Sequence, residues 1–180
     1  MLCDITLSEI VMIDSIRIQK FLVTTVLAAV SLGSMAAEAV FTAKAIQVTQ
    51  PTAPSRPEGI KTGAVFFGSI RNTGATADKM VSARSAVAER VELHRMVMDG
   101  SMMRMREVPE ILLPPGEGPS FQQGKADAYH LMLINLKQPL KEGDRFAVTV
   151  RFQNAGELEI MVTVQKPGGM SAGHGGHHKH

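Results

Sequence analysis

Apolar and polar residues alternate in short runs along most of the chain, and turn residues separate the runs. Period-two alternation over four to eight positions is the pattern of a half-buried strand. It predicts strands near 44–49, 64–71, 79–83, 90–98, 101–108, 111–113, 130–135, 145–152 and 157–164. Between them stand Asn72-Thr73-Gly74, Asp99-Gly100, Pro114-Pro115-Gly116, Glu142-Gly143-Asp144 and Asn154-Ala155-Gly156, each with good turn chemistry. Many short strands at such spacing favour an all-β sandwich or barrel over a parallel sheet. Residues 85–89 have some helical potential but are too few to change that class, and the Pro-containing stretch 49–59 is expected to be an irregular loop.

The two ends follow other patterns. Residues 21–32 form an uncharged, mostly apolar run after Arg17 and Lys20, and small residues follow, ending in Ala37-Glu38-Ala39. This is the layout of a secretory signal peptide cleaved after Ala39. The run is too short for a bilayer, which needs about 20 residues. Asp4 and Glu9 suit such a leader poorly, so Met12 is an alternative start. The expected organisation is a leader over 1–39, a β domain over 40–166 and a tail over 167–180. The tail is rich in Gly and His, offers little to bury, and is expected to be disordered. The exported chain is expected in an oxidising compartment, with no stable membrane insertion after cleavage.

Composition removes several functions. With 19 Lys and Arg against 17 Asp and Glu, the formal net charge is +2, and no basic field exists to hold nucleic acid. The single cysteine, Cys3, lies in the leader. The mature chain therefore has no disulfide, thiolate metal site, thiol redox chemistry or blue-copper ligand set. No Gly-x-Ser-x-Gly, Walker loop or paired-carboxylate motif suggests an enzyme. Methionine is the outlier, at 12 of 180 residues.

Where those methionines fall gives the candidate chemistry. Asp99-Gly100 suits a two-residue type I′ hairpin loop. With that loop Met98 faces Ser101, Met96 opposes Met103, and His94 opposes Met105. His94, Met96, Met98, Met103 and Met105 then share one face, because side chains alternate along a strand. Farther on, His130 and Met132 stand two apart and project from one face of another strand. Two His–Met pairs of this kind can converge on one site. Thioethers are soft neutral ligands and imidazole is borderline, a set that selects Cu(I) over zinc, calcium or magnesium. Four neutral ligands leave a bound monovalent ion uncompensated, which suits exchange better than permanent binding. The bland alternative is core packing, the commonest role of Met on a strand face; Met102 and Met103 individually are expected either to pack or to support the ligands from behind.

The spacing His94, ten residues, Met105, a longer interval, then His130-x-Met132 resembles the signature of the periplasmic copper chaperones of the PCuAC family. The resemblance extends over most of 46–164, through Ile46-Gln47-Val48, residues 88–94, Met98-Asp99-Gly100, residues 129–133 and residues 137–144. It implies a cupredoxin-like Greek-key β-sandwich that binds Cu(I) through His94, Met105, His130 and Met132. It also implies delivery to a client such as the copper A site of a cytochrome c oxidase subunit. Two departures stand out. The interval from Met105 to His130 is three residues longer than the family pattern, and Thr52-Ala53-Pro54-Ser55-Arg56 replaces the family's aromatic-Ala-Arg stretch. The tail residues Met170, His174, His177, His178 and His180 suit Cu(II), for which imidazoles on a flexible backbone are good ligands. A periplasmic copper buffer or resistance protein, and a structural β-sandwich without metal, are the alternatives.

Overall fold

Side chains along the longer strands alternate between a shared aliphatic interior and the outside, and that alternation organises the molecule. The computed structural model describes residues 39–167. Thirteen strands follow in chain order: β1 Val40–Ala43, β2 Ile46–Thr49, β3 Thr52–Pro54, β4 Thr62–Val65, β5 Ser69–Asn72, β6 Asp78–Arg84 and β7 Ala88–Asp99. They continue as β8 Met102–Glu107, β9 Ile111–Leu113, β10 Gly116–Glu117, β11 Tyr129–Leu136, β12 Arg145–Phe152 and β13 Gly156–Gln165. There is no helix among the described residues.

The strands form two sheets, one ordered β1-β2-β5-β10 and the other β3-β13-β12-β6-β7-β11-β4, with β8 added beside β7 and β9 beside β6. The larger sheet curls until its two ends meet. Thr52 and Phe66 exchange backbone hydrogen bonds of 2.9 Å in both directions, which makes the sheet barrel-like. Both sheets contribute to one core. Ile46, Val48 and Ile70 come from the smaller, and Met80, Leu131, Leu133, Val148, Ile160 and Val162 from the larger. This is the all-β, cupredoxin-like sandwich expected from the strand pattern and the family resemblance.

The differences from the expected strands have local causes. The run expected over 64–71 breaks at Phe66–Gly68, and the chain leaves the large sheet there for the small one. Phe66 and Phe67, at this break, are both buried. Gly68 is needed at the corner, because a Cβ there would meet the Gln50 side chain at 2.5 Å. The stretch 49–59 is not wholly irregular, since β3 pairs parallel with β13 and buries Ala53. Residues 85–87 make a turn between β6 and β7 rather than any helix. The signal peptide, Cys3 and the tail beyond 167 lie outside the described residues.

Candidate metal centre

The register of β7 against β11 sets His94 directly opposite His130, and Glu92 opposite Met132. Directly opposed residues in an antiparallel pair point to the same side. Leu93, Leu131 and Leu133 fill the core from the other side of these strands. His94, His130, Met132 and Glu92 therefore share the face turned away from the core.

The two imidazoles lie with ring centroids 5.6 Å apart at an interplanar angle of 52°. Phe66 closes over His130 from the far side, 5.8 Å between centroids, and leaves that histidine only 3% exposed. Burial, and secondarily the neighbouring His94, lower the His130 pKa from 6.5 to about 4. A charged ring there would lose its hydration, so the imidazole is neutral at neutral pH. On His94, Nε2 lies 2.9 Å from Glu92 Oε2, and Arg90 Nε donates to the other oxygen of that carboxylate at 2.7 Å. The His94 hydrogen bond first, then the Arg90 hydrogen bond, hold the Glu92 carboxyl below its usual range. An ionised carboxylate can only accept, so the proton of a neutral His94 belongs on Nε2 and the lone pair on Nδ1. Both His94 Nδ1 and His130 Nε2 are buried without a hydrogen-bond partner. Native structures rarely leave such atoms unpaired without a functional reason.

The hairpin corrects one expectation. His94 does not oppose Met105: it opposes Glu107, while Met96 pairs with Met105 and Met98 with Met103. The loop residues are Gly100 and Ser101 rather than Asp99 and Gly100. Gly100 has φ +64° whereas Ser101 and Asp99 stay at negative φ, the pattern of a turn with Gly at its first central position. Asp99 remains in the strand and accepts a 2.9 Å ion pair from Arg104. Because the register moves by two residues, the shared face survives unchanged. Met105 now stands one diagonal step from His94, and diagonal neighbours lie about 7–8 Å apart, within reach of long side chains. Met132 holds the equivalent diagonal position on β11.

All four residues singled out from the sequence thus lie on adjoining positions of one face, with His94 central. The tail positions Met170, His174, His177, His178 and His180 lie outside the described residues. Among the described residues no three His, Cys, Asp or Glu side chains are placed to hold a metal ion. Three participants went unread in the sequence. Glu92 stands two residues before His94, and the same alternation rule was enough to place it on that face. Glu107 depended on the true hairpin register. Phe66 depended on tertiary packing and had no local signal.

Comparison with known proteins places this geometry in a family. Residues 46–164 match the family model described as "Putative lipoprotein LpqE-like". A relative from Leifsonia xyli subsp. xyli, "Putative lipoprotein Lxx21020", is 31% identical over 100 residues, covering 55% of this chain. The chain spans 58% of that relative's length. Among solved structures, the copper-bound PCuAC domain from PmoF2 superposes with a TM-score of 0.61 at 20% identity, covering 72% of this chain and 99% of that one. The apo PCuAC domain from PmoF1 gives 0.60 at 22%, covering 72% and 100%. The solution structure of CuI-DR1885 from Deinococcus radiodurans gives 0.51 at 28%, covering 66% and 78%. The chain belongs to the LpqE-like family and carries the PCuAC fold.

Proposed function

We propose that this protein carries Cu(I) in the periplasm, bound by His94, His130, Met105 and Met132, and hands it to a client protein. The observation that carries this reading is the pair of buried, unpartnered nitrogens, His94 Nδ1 and His130 Nε2, on facing residues beside same-face methionines. Two imidazoles sharing one ion through metal–nitrogen bonds of about 2 Å have centroids roughly 5–6 Å apart. The observed separation of 5.6 Å fits. Glu92 plays the part usual for a carboxylate behind a ligating histidine, fixing the ring and its tautomer. Glu92 is paired with Arg90, but Glu107 opposite His94 puts a further negative charge on the ligand face, so a monovalent ion is less uncompensated there than its four neutral ligands alone suggest. The copper recorded for the PmoF2 domain and for DR1885 adds support.

The role is binding and transfer rather than catalysis. The ligands are neutral, so copper can leave by ligand exchange without any proton or electron moving. A cytochrome c oxidase subunit with a copper A site is the client we favour, and the lipoprotein description of the relatives agrees with an envelope location. X-ray absorption on the full chain at one equivalent of Cu(I) tests the site, with two sulfur and two nitrogen neighbours expected. A first equivalent with no sulfur neighbour, or no competition with a Cu(I) chelator, refutes it. Incubation of the loaded protein with apo oxidase subunit then separates delivery from buffering, since a buffer retains its copper.

A further inference from the structure

Beyond His94 the β7–β8 hairpin runs out as a two-faced arm. One face carries Arg95, Val97 and Asp99 on β7 against Arg106, Arg104 and Met102 on β8. On the other face, every position from 96 to 98 and from 103 to 105 is methionine: Met96 opposite Met105, and Met98 opposite Met103. Packing does not explain three of these side chains, because Met98 is 51%, Met103 41% and Met105 54% exposed, while Met96 at the base is half-buried. Strand propensity does not explain them either, since exposed strands favour β-branched and aromatic residues.

We infer that Met96, Met98 and Met103 form a second, all-thioether site for a soft monovalent cation, Cu(I), which receives the ion and passes it inward to the His94–His130 centre. The passing role rests on the Cu(I) reading of that centre, whereas the site itself stands on the hairpin register. Directly opposed residues have Cβ atoms about 4.5–5.5 Å apart, and diagonal ones remain within reach of long side chains. Met98 and Met103 are directly opposed, and Met96 is diagonal to Met103, so three flexible thioethers can close on one ion. Soft sulfur ligands select Cu(I) over the harder divalent ions. No cationic side chain stands on this face between 96 and 105, while at its inner end Glu107 opposes His94 and Glu92 is already paired with Arg90. The carboxylate of Glu107 therefore favours a cation at the imidazole end of the face over one at the tip. Met105, between the two groups, belongs to the inner set. Transfer exchanges one thioether or imidazole for another; copper stays Cu(I), and no bond to hydrogen breaks.

Methyl-labelled methionine in the full chain, followed by NMR during anaerobic titration with Cu(I), tests both parts. The first equivalent should shift the Met105 and Met132 methyls, and the second those of Met96, Met98 and Met103. The Met96→Leu/Met98→Leu/Met103→Leu variant should lose the second equivalent, keep the first, and load more slowly from a Cu(I) donor complex. In the His94→Ala/His130→Ala variant the three hairpin methyls should still shift. Hairpin methyls that stay unmoved in parent and double-histidine variant alike overturn the second site. Unchanged loading by the triple-leucine variant overturns its receiving role. Shifts of the hairpin methyls with none at Met105 or Met132 instead overturn the inner site and leave the outer one standing.

Discussion

His130 should make the copper-free protein lose stability as the solution turns mildly acidic, and the size of that loss follows from its burial. In the folded chain its pKa lies at about 4, against an ordinary value of 6.5. Between those values the unfolded chain binds a proton that the folded chain refuses. Stability therefore falls as pH drops through that window and levels off below about 4. One pKa unit corresponds to about 1.36 kcal/mol, so this shift is worth about 3 kcal/mol in full and about 2 kcal/mol by pH 5. Glu92 acts in a lower range, since its pKa is already depressed below the ordinary carboxylate value of 4.5. Urea unfolding of the apo full chain at pH 7.5, 6 and 5 measures the slope. Far-UV circular dichroism is the appropriate signal, because the chain has no Trp and one Tyr. His130→Leu should abolish most of the pH dependence while staying about as stable as the parent at pH 7.5, since it removes a buried nitrogen that has no partner. An unchanged slope in His130→Leu would refute the assignment of the titration to this residue.

Met132→Leu conserves volume and apolarity and should cost less than about 1.5 kcal/mol of stability. It should weaken Cu(I) binding measured by chelator competition, as should Met105→Leu at its exposed position; strong destabilisation with binding intact would make Met132 a packing residue. Glu92→Gln should lower Cu(I) affinity roughly 10–100-fold, the usual effect of losing a carboxylate behind a ligating histidine; an affinity equal to the parent's would show that His94 is held by other contacts. Ending the chain at Pro167 should leave thermal stability and one-equivalent Cu(I) binding unchanged and remove most Cu(II) uptake in equilibrium dialysis. Cu(II) uptake should also fade as pH drops through about 6.5, because only neutral imidazole binds metal. Equal loss of both ions on truncation would place tail residues in the fixed site.

What the sequence made legible were the features governed by local rules. Alternation located most of the strands, and it put His94, Met96, Met103 and Met105 on one face even though the hairpin register was misread by two residues. Parity protects such an inference, since a shift of two keeps every side chain on its face. The misreading had a definite source. Asp-Gly fits a loop of the I′ class, Gly-Ser fits the II′ class, and Asp99-Gly100-Ser101 contains both. The meeting of β7 with β11 was not local. His94 and His130 are 36 positions apart, and no short-range pattern fixes which strands become neighbours. Phe66 over His130 was hidden for the same reason. The family spacing carried that long-range information, and the strand register then gave it a physical form.

The arrangement also separates what folds the protein from what it is proposed to do. On β7 and β11 the inward residues Leu93, Leu131 and Leu133 belong to the core, and the outward ones in between are the candidate ligands. Substitution on the outer face therefore leaves the aliphatic core intact, which is why conservative ligand variants are expected to fold. The outer face nevertheless carries a cost in the apo state. A buried polar atom without a partner costs about 1–3 kcal/mol, and His94 Nδ1 and His130 Nε2 are two such atoms. The core and the extensive β pairing hold both nitrogens in place against that cost. Metal binding supplies the missing partner for each, so part of the affinity comes from relieving a defect that the fold maintains. Ligand binding to the folded state alone raises stability by about 2.7 kcal/mol at 100 times Kd. Loading should thus stabilise the domain while leaving it at least as acid-sensitive, because metal-bound imidazoles take up no proton in that range whereas those of the unfolded chain still do.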